Sequence, residues 1–353
     1  MGKTFGNHIR YDYIDQLKGF AMILVVMGHV IGFCAHRHDD ILTYIICLIQ
    51  MPLFFMLNGL VISIIPREGG GYLLKKFKQI LVPFFLWGIL MSLFHNTSYV
   101  VFLTDYFCLG YWYLLVLFAF FSLYYISSQI NTAIVLHYFD KNIYRIIFTV
   151  LWYAFIYIVL RLLTRFLPET LKIYLHYSQI IEYYPFFFTG VIIKTNNIGD
   201  IMQKHSSFII SILLTGLILI FFIDNANPVN ILFNIGIRIW LCLTIYLVFM
   251  ISTNQEKTKN ITKHPMKILK HIGQHTLAIY MIHYYLLRYI EIQPIFDYLY
   301  NDNNLIALLA LILIASLTLC TLSIFIEKVL AMSEWLSIGL LGRTKPTKIL
   351  VNG

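Results

Sequence analysis

Apolar runs near the length of a bilayer crossing recur along this chain, at residues 14–35, 41–65, 79–94, 110–128, 143–163, 181–194, 207–223, 230–252, 272–290 and 305–330. A hydrocarbon layer about 30 Å thick needs roughly 20 consecutive apolar residues per helix. In that solvent every backbone N–H and C=O must be bonded within its element, so only helices and closed barrels can span. A barrel would alternate polar and apolar residues in segments of about ten, and these runs do not alternate. The chain therefore reads as an all-α, polytopic integral membrane helical bundle of ten expected spans. Composition agrees: 59% of the 353 residues are hydrophobic, 12% are charged and mean hydropathy is +0.76, where a soluble domain carries about 25% charged residues. The pattern shows no separate soluble domain. It predicts one membrane domain over 1–353, with spans from about 14 to 330 and a short basic tail at 331–353.

Lys and Arg set the expected orientation. Of the 26, 19 fall at the N-terminus, in the even-numbered loops and at the C-terminal end, which the positive-inside bias assigns to the cytoplasm. The opposite side holds Arg37, Arg161, Arg165, Lys172 and Arg288, and the acidic loops around Asp105, Asp224, Asp297 and Asp302. Both termini are thus expected in the cytoplasm. The same bias accounts for the net charge of +9 without nucleic acid. The five cysteines, Cys34, Cys47, Cys108, Cys242 and Cys320, lie in or beside apolar runs without metal-site spacing. They read as free buried thiols, and no metal site is expected. The first run begins after a polar start and contains Lys18 and His29, so it reads as a retained helix rather than a cleaved signal.

Ionisable groups at membrane depth are costly and usually face an interior cavity. Lys18 and His29 are eleven residues apart, nearly three helical turns, which puts them on one face with a rise of about 16 Å between them. Lys18 would lie near the cytoplasmic end and His29 past the middle of the hydrocarbon. Lys18 also fits a snorkelling lysine, and His29 fits a cross-helix hydrogen bond. Arg238 has no acidic neighbour in its own run and should meet a carboxylate, backbone carbonyls or a ligand. His283, on the ninth run, reaches a depth close to that of His29.

Several segments, in order, resemble the acyltransferase-3 family of integral membrane acyltransferases, in its fucose 4-O-acetylase-like branch. Tyr13-Ile14-Asp15 through Lys18 and His29 is similar to the family's basic residue, ten-residue gap and histidine, with Lys18 where arginine is more common. Met51-Pro52-Leu53-Phe54-Phe55-Met56-Leu57-Asn58-Gly59 resembles its second-helix motif, with Asn58 in the usual place of serine. Tyr111-Trp112-Tyr113-Leu114 and Leu277-Ala278-Ile279-Tyr280-Met281-Ile282-His283 resemble its aromatic and late-helix motifs. The resemblance covers about residues 10–330.

It implies transfer of an acyl group, in the simplest case acetyl, from cytoplasmic acyl-CoA to a hydroxyl of a cell-surface sugar or glycan precursor, free or lipid-linked. Acetyl-CoA would be a co-substrate, with no tightly bound cofactor. The partners would be acyl-CoA, the glycan and membrane lipid, and the site of action a bacterial inner membrane. An unactivated hydroxyl needs a base of near-neutral pKa, which makes His29 the candidate general base. Lys18 would meet a coenzyme A phosphate, with the pantetheine arm reaching towards His29. Arg238 and Asn58 join the acyl-CoA-binding candidates. So does His283, which would polarise the thioester or bind a backbone carbonyl, and Trp112, which would stack on a ligand or anchor at the interface. Glu182 and Tyr113 are candidates for holding the acceptor or orienting His29, Glu182 fitting a solvated helix start equally well. The competing reading is a multispanning transporter or flippase, with Arg238 and the histidines lining a permeation path; no inverted repeat is evident in the sequence.

Overall fold

The computed structural model describes residues 4–5, 8–9, 12–37, 41–62, 70–105, 110–138, 141–205, 209, 231–259 and 264–343. Almost all of them are helical, apart from a minimal antiparallel pairing of Thr4–Phe5 with His8–Ile9. Seven helices among the described residues are long and apolar enough to cross a membrane: Asp12–Cys34, Leu42–Leu60, Gly71–Phe94, Trp112–Val135, Asn142–Leu163, Asn234–Thr253 and Leu305–Leu330. Each corresponds to one of the ten expected runs. The run at 207–223 falls, residue 209 aside, outside the described residues, as do Cys108, the loop at 224–229 and residues 344–353. The other two runs are helical but differ from a simple span. The sixth belongs to a 19-residue helix, Tyr177–Thr195, whose apolar character is diluted by Gln179, Glu182 and Lys194. The ninth is a 12-residue apolar helix, Thr276–Leu287, about 18 Å long.

Packing divides the chain into two units, Met1–Ile62 with Thr189–Ile324, and Ser63–Phe188 with Phe325–Gly353. In the first, α1 (Asp12–His29) runs on through a π-helical turn at Val30–Cys34, and α2 is Ile41–Leu60. The second contains α3 (Gly70–Lys76), which passes through a π-helical turn at Phe77–Leu81 into α4 (Val82–Phe94), then α5 (Tyr99–Thr104), α6 (Trp112–Tyr138), α7 (Asn142–Leu163) and α8 (Glu169–Tyr174). Helix α9 (Tyr177–Thr195) gives residues 177–188 to the second unit and the remainder to the first. The first unit continues with α10 (Ile198–Lys204), α11 (Ile231–Lys259), α12 (His264–Gln274), α13 (Thr276–Leu287) and α14 (Gln293–Asn301). Helix α15 (Leu305–Leu330) ends in the second unit, followed by α16 (Glu334–Gly339).

In the first unit α1 is the helix that the others pack around: α2, α11, α12 and α13 all touch it. Its contact with α12 is backbone against backbone. A Cβ on Gly19 would fall on the Leu269 carbonyl, and one on Gly273 on the Asp15 carbonyl, so neither position has room for a side chain. Polar groups pin the same crossing. Gln274 donates to Asp15 at 3.3 Å and Lys270 pairs with Asp12 at 2.8 Å, while on the neighbouring contact of α1 the Thr253 hydroxyl of α11 donates to Gln16 at 2.6 Å. Gly190 gives α9 a similarly close approach to the Met56 carbonyl of α2.

The second unit is held by rings. Phe120, Phe187 and Phe188 are essentially sealed from solvent, and Tyr184 and Phe188 stack with centroids 4.2 Å apart. Lys75, Lys76 and Lys78, which lie in sequence between the second and third apolar runs, belong to helix, because α3 starts at Gly70 and the turn at Phe77 continues it. The Lys76 ammonium sits 4.2 Å from the Phe121 ring centroid. The tail is docked as far as it is described. The Trp87 indole N–H donates to the Leu340 carbonyl at 2.8 Å, and Arg343 pairs with buried Glu327 at 2.6 Å. Gly342, at φ +62°, lies against the Gln79 carbonyl.

Three ion pairs, Lys270 with Asp12, Arg37 with Asp297 and Arg343 with Glu327, each join residues that the charge bias assigns to one side. Cys34, Cys242 and Cys320 are buried free thiols as expected, whereas Cys47 is exposed.

Candidate active site

A single turn-free helix carries the first two candidates. Because α1 is continuous from Asp12 to His29, Lys18 and His29 lie on one face, and both are half-buried. The helix widens into its π-helical turn immediately after His29. The glycine crossing at Gly19 and Gly273 docks α12, and after a break at His275 the chain resumes as α13, which also packs on α1. That path brings His283 to His29.

His29 Nδ1 and His283 Nε2 are 2.9 Å apart, with the two rings nearly parallel, 15° between planes. His283 Nδ1 lies 2.7 Å from the Ile279 carbonyl of its own helix, and the Tyr284 hydroxyl lies 2.9 Å from His29 Nε2. The side chain of His283 is fully buried, while those of His29 and Tyr284 are half-buried. Phe33, half exposed one turn beyond His29, has its ring centroid 6.0 Å from that of His29 and 6.1 Å from that of Tyr284.

The chain of bonds fixes the tautomers from one end. A carbonyl oxygen only accepts, so His283 Nδ1 carries the proton and, in the neutral ring, Nε2 has the lone pair. His29 Nδ1 must then donate to it, which leaves the lone pair of His29 on Nε2, where the Tyr284 hydroxyl donates. The arrangement reads Tyr284 O–H to His29, His29 N–H to His283, His283 N–H to Ile279 O. A proton added to this chain enters at His29 Nε2, and the resulting imidazolium is stabilised by the His283 lone pair. The partner that orients the His29 ring is thus a second imidazole, itself fixed by a peptide dipole.

The structure brings together His29 and His283 at one depth, as their positions in the sequence predict. Both ring nitrogens of His29 are bonded within the first unit. Asn58, near the end of α2, donates to the Phe54 carbonyl one turn back at 2.8 Å. Arg238 is half-buried in α11, one turn before buried Cys242. Trp112, Tyr113 and Glu182 belong to the second unit. Trp112 and Tyr113 are buried at the start of α6, with Trp112 stacked on Tyr183 at 5.3 Å between centroids; Glu182 is half-buried in α9. Sequence reasoning missed Tyr284. It is the residue after His283, in a run with Tyr280 and Tyr285, and nothing in the pattern distinguishes one tyrosine from the others. Among the described residues no three His, Cys, Asp or Glu side chains lie close enough to share a metal ion.

In comparison with known protein families, the model of the acyltransferase-3 family, described as an acyltransferase domain, matches residues 11–325. No curated protein and no solved structure matches the chain.

Proposed function

This chain belongs to the acyltransferase-3 family of membrane acyltransferases, and on that premise we propose that it moves an acyl group, in the simplest case acetyl, from acyl-CoA to a sugar hydroxyl, with His29 as general base. The observation that carries this reading is the bond chain through His29. It leaves an unprotonated Nε2 on a half-buried imidazole whose other nitrogen has an acceptor waiting for the proton's charge. A group of that kind removes a proton from an attacking hydroxyl and returns it to a leaving thiolate, a contribution of about 10²–10⁴ in rate. The acceptor oxygen attacks the thioester carbonyl as its proton passes to His29. When the C–S bond breaks, the same proton leaves with the thiol.

Lys18 supports the donor assignment by position: it lies on the His29 face about 16 Å lower, a separation that an extended pantetheine arm can bridge while the Lys18 ammonium meets a phosphate. In this reading the Lys18 end faces the cytoplasm, both termini lie there, and the protein works in a bacterial inner membrane on a surface glycan or its precursor. Arg238 and Asn58, which belong to the same unit as His29, contact the donor. Acetyl-CoA is spent as a co-substrate and no cofactor stays bound.

The test uses purified protein in lipid nanodiscs, following release of free CoA from acetyl-CoA by wild type and His29→Ala, with thermal melting as the folding control. Turnover that falls at least 100-fold in the variant while its melt is retained is the expected result. Absence of wild-type turnover, or full activity in the variant, overturns the reading.

A further inference from the structure

The acyl-transfer reading leaves one group unassigned. His29 Nε2, the nitrogen that must take the acceptor's proton, is already occupied by the Tyr284 hydroxyl at 2.9 Å. A substrate hydroxyl therefore either displaces that phenol or reacts through it. Three observations favour reaction through it. Tyr284 follows His283 on α13, and His283 is tied to the Ile279 carbonyl and to His29, so the phenol is held by the same short helix that fixes the base. Its ring contacts both imidazoles, with centroids 4.7 Å from His29 and 4.6 Å from His283, and the ring of Phe33 sits against it from α1's π-helical turn. Finally, the side chain is half-buried rather than sealed like that of His283.

We infer that Tyr284 is a catalytic residue, a phenol relay between the acceptor hydroxyl and His29. This rests on the acyl-transfer reading. In the step, the acceptor oxygen bonds to the thioester carbonyl carbon while its proton moves to the Tyr284 oxygen and the phenol's own proton moves to His29 Nε2. The tetrahedral intermediate then breaks its C–S bond, the thiolate takes a proton from Tyr284, and His29 returns one to the phenolic oxygen. Ester and thiol are the net products, and Tyr284, His29 and His283 end as they began. His283 stays a positioning residue, since it touches His29 and not the reacting atoms.

The relay moves two protons in one step, which separates it from a tyrosine that only packs beside the base. The first experiment needs no substitution: CoA release from acetyl-CoA, with water as the acceptor, is followed in mixtures of H₂O and D₂O. A rate that curves downward with deuterium fraction is expected, and a straight line overturns the relay. In the second, Tyr284→Phe keeps the ring and its packing but should lose at least 30-fold in kcat, with KM for acetyl-CoA changed less than threefold and the melt retained. A kcat within threefold of wild type, or a raised one, means that the substrate displaces the phenol and overturns the relay. Nitrogen-15 spectra of histidine-labelled protein read the geometry without turnover. His29 Nε2 should be unprotonated and hydrogen-bonded in wild type and lose that hydrogen-bond shift in Tyr284→Phe; a protonated Nε2 overturns the proposal. If Tyr284→Phe and the solvent mixtures give the overturning results while His29→Ala is inactive, the relay alone falls. If His29→Ala is fully active, the acyl-transfer reading falls and takes the relay with it.

Discussion

The two units of this protein solve the packing problem differently. The first is held where backbones touch. Gly19 and Gly273 remove side chains from the crossing of α1 and α12, and the polar pairs Asp15 with Gln274 and Asp12 with Lys270 fix its register. The second is held by interleaved rings, among them Phe120, Tyr153, Tyr184, Phe187 and Phe188. In lipid, helices gain little from hiding apolar surface, because the tails are as apolar as the side chains. What remains is close contact and internal hydrogen bonding. The backbone crossing gives a geometry with few alternatives, and it is the crossing that carries the imidazole pair. The ring cluster tolerates small rearrangements, since several aromatic geometries are close in energy.

The largest effect should come from refilling the crossing. Gly273→Leu would place a side chain where the Asp15 carbonyl lies, and no rotamer of a neighbour relieves a clash with backbone. We expect no folded, monodisperse protein on size exclusion in detergent and no acetyl-CoA turnover. A folded Gly273→Leu protein with a wild-type melt would show that the crossing is not what holds the first unit.

Next come two substitutions of comparable size that should separate cleanly. Phe187→Ala removes a fully buried ring from the second unit. Such truncations cost about 3–5 kcal/mol in soluble cores, and the lower end applies here because lipid supplies part of the lost apolar contact. The melt should fall while turnover per folded molecule stays within about twofold. His283→Phe does the reverse. It keeps a ring of similar volume but takes away the acceptor for His29 Nδ1–H, leaving His29 free to move its proton to Nε2 and donate to Tyr284. We expect a loss of about 100-fold in kcat, near the 2.7 kcal/mol that such a factor represents, with a melt close to wild type. If both variants lose melt and turnover together, the division of labour between ring packing and imidazole positioning is wrong.

Much of this was legible in the sequence, for a physical reason. Hydrocarbon demands long apolar helices, so seven of the ten runs are found as helices able to cross. Depth follows from helical rise, so Lys18 and His29 fall on one face and His283 falls level with His29. What was not legible depends on contacts between distant segments. Thr276–Leu287 is short because the chain breaks at His275 after the glycine crossing, and a hydropathy pattern does not register a backbone contact 254 residues away in sequence. Tyr284 was missed because a tyrosine beside a histidine has no period or spacing of its own; only the position of His29 Nε2 singles it out. Within the basic tail, residues up to Arg343 are docked by single polar contacts, which composition does not encode.

That docking offers the smallest test of the comparison. The Trp87 indole N–H donates to the Leu340 carbonyl, and both residues are almost fully buried. Trp87→Phe retains an aromatic ring but leaves a carbonyl without its donor. A single neutral hydrogen bond is worth about 1 kcal/mol net, so the melt should drop by only a few degrees. The change lies within the second unit, where the tail folds back along α4, so acetyl-CoA turnover should not respond. Limited proteolysis gives the sharper readout: cleavage after Lys328 or Arg343 should accelerate in Trp87→Phe, because local opening of the tail needs less energy than global unfolding. Unchanged cleavage would mean that the pair between half-buried Arg343 and buried Glu327, only 2.6 Å long, holds the tail by itself. In that case the second unit too would depend on a polar contact as specific as those of the first.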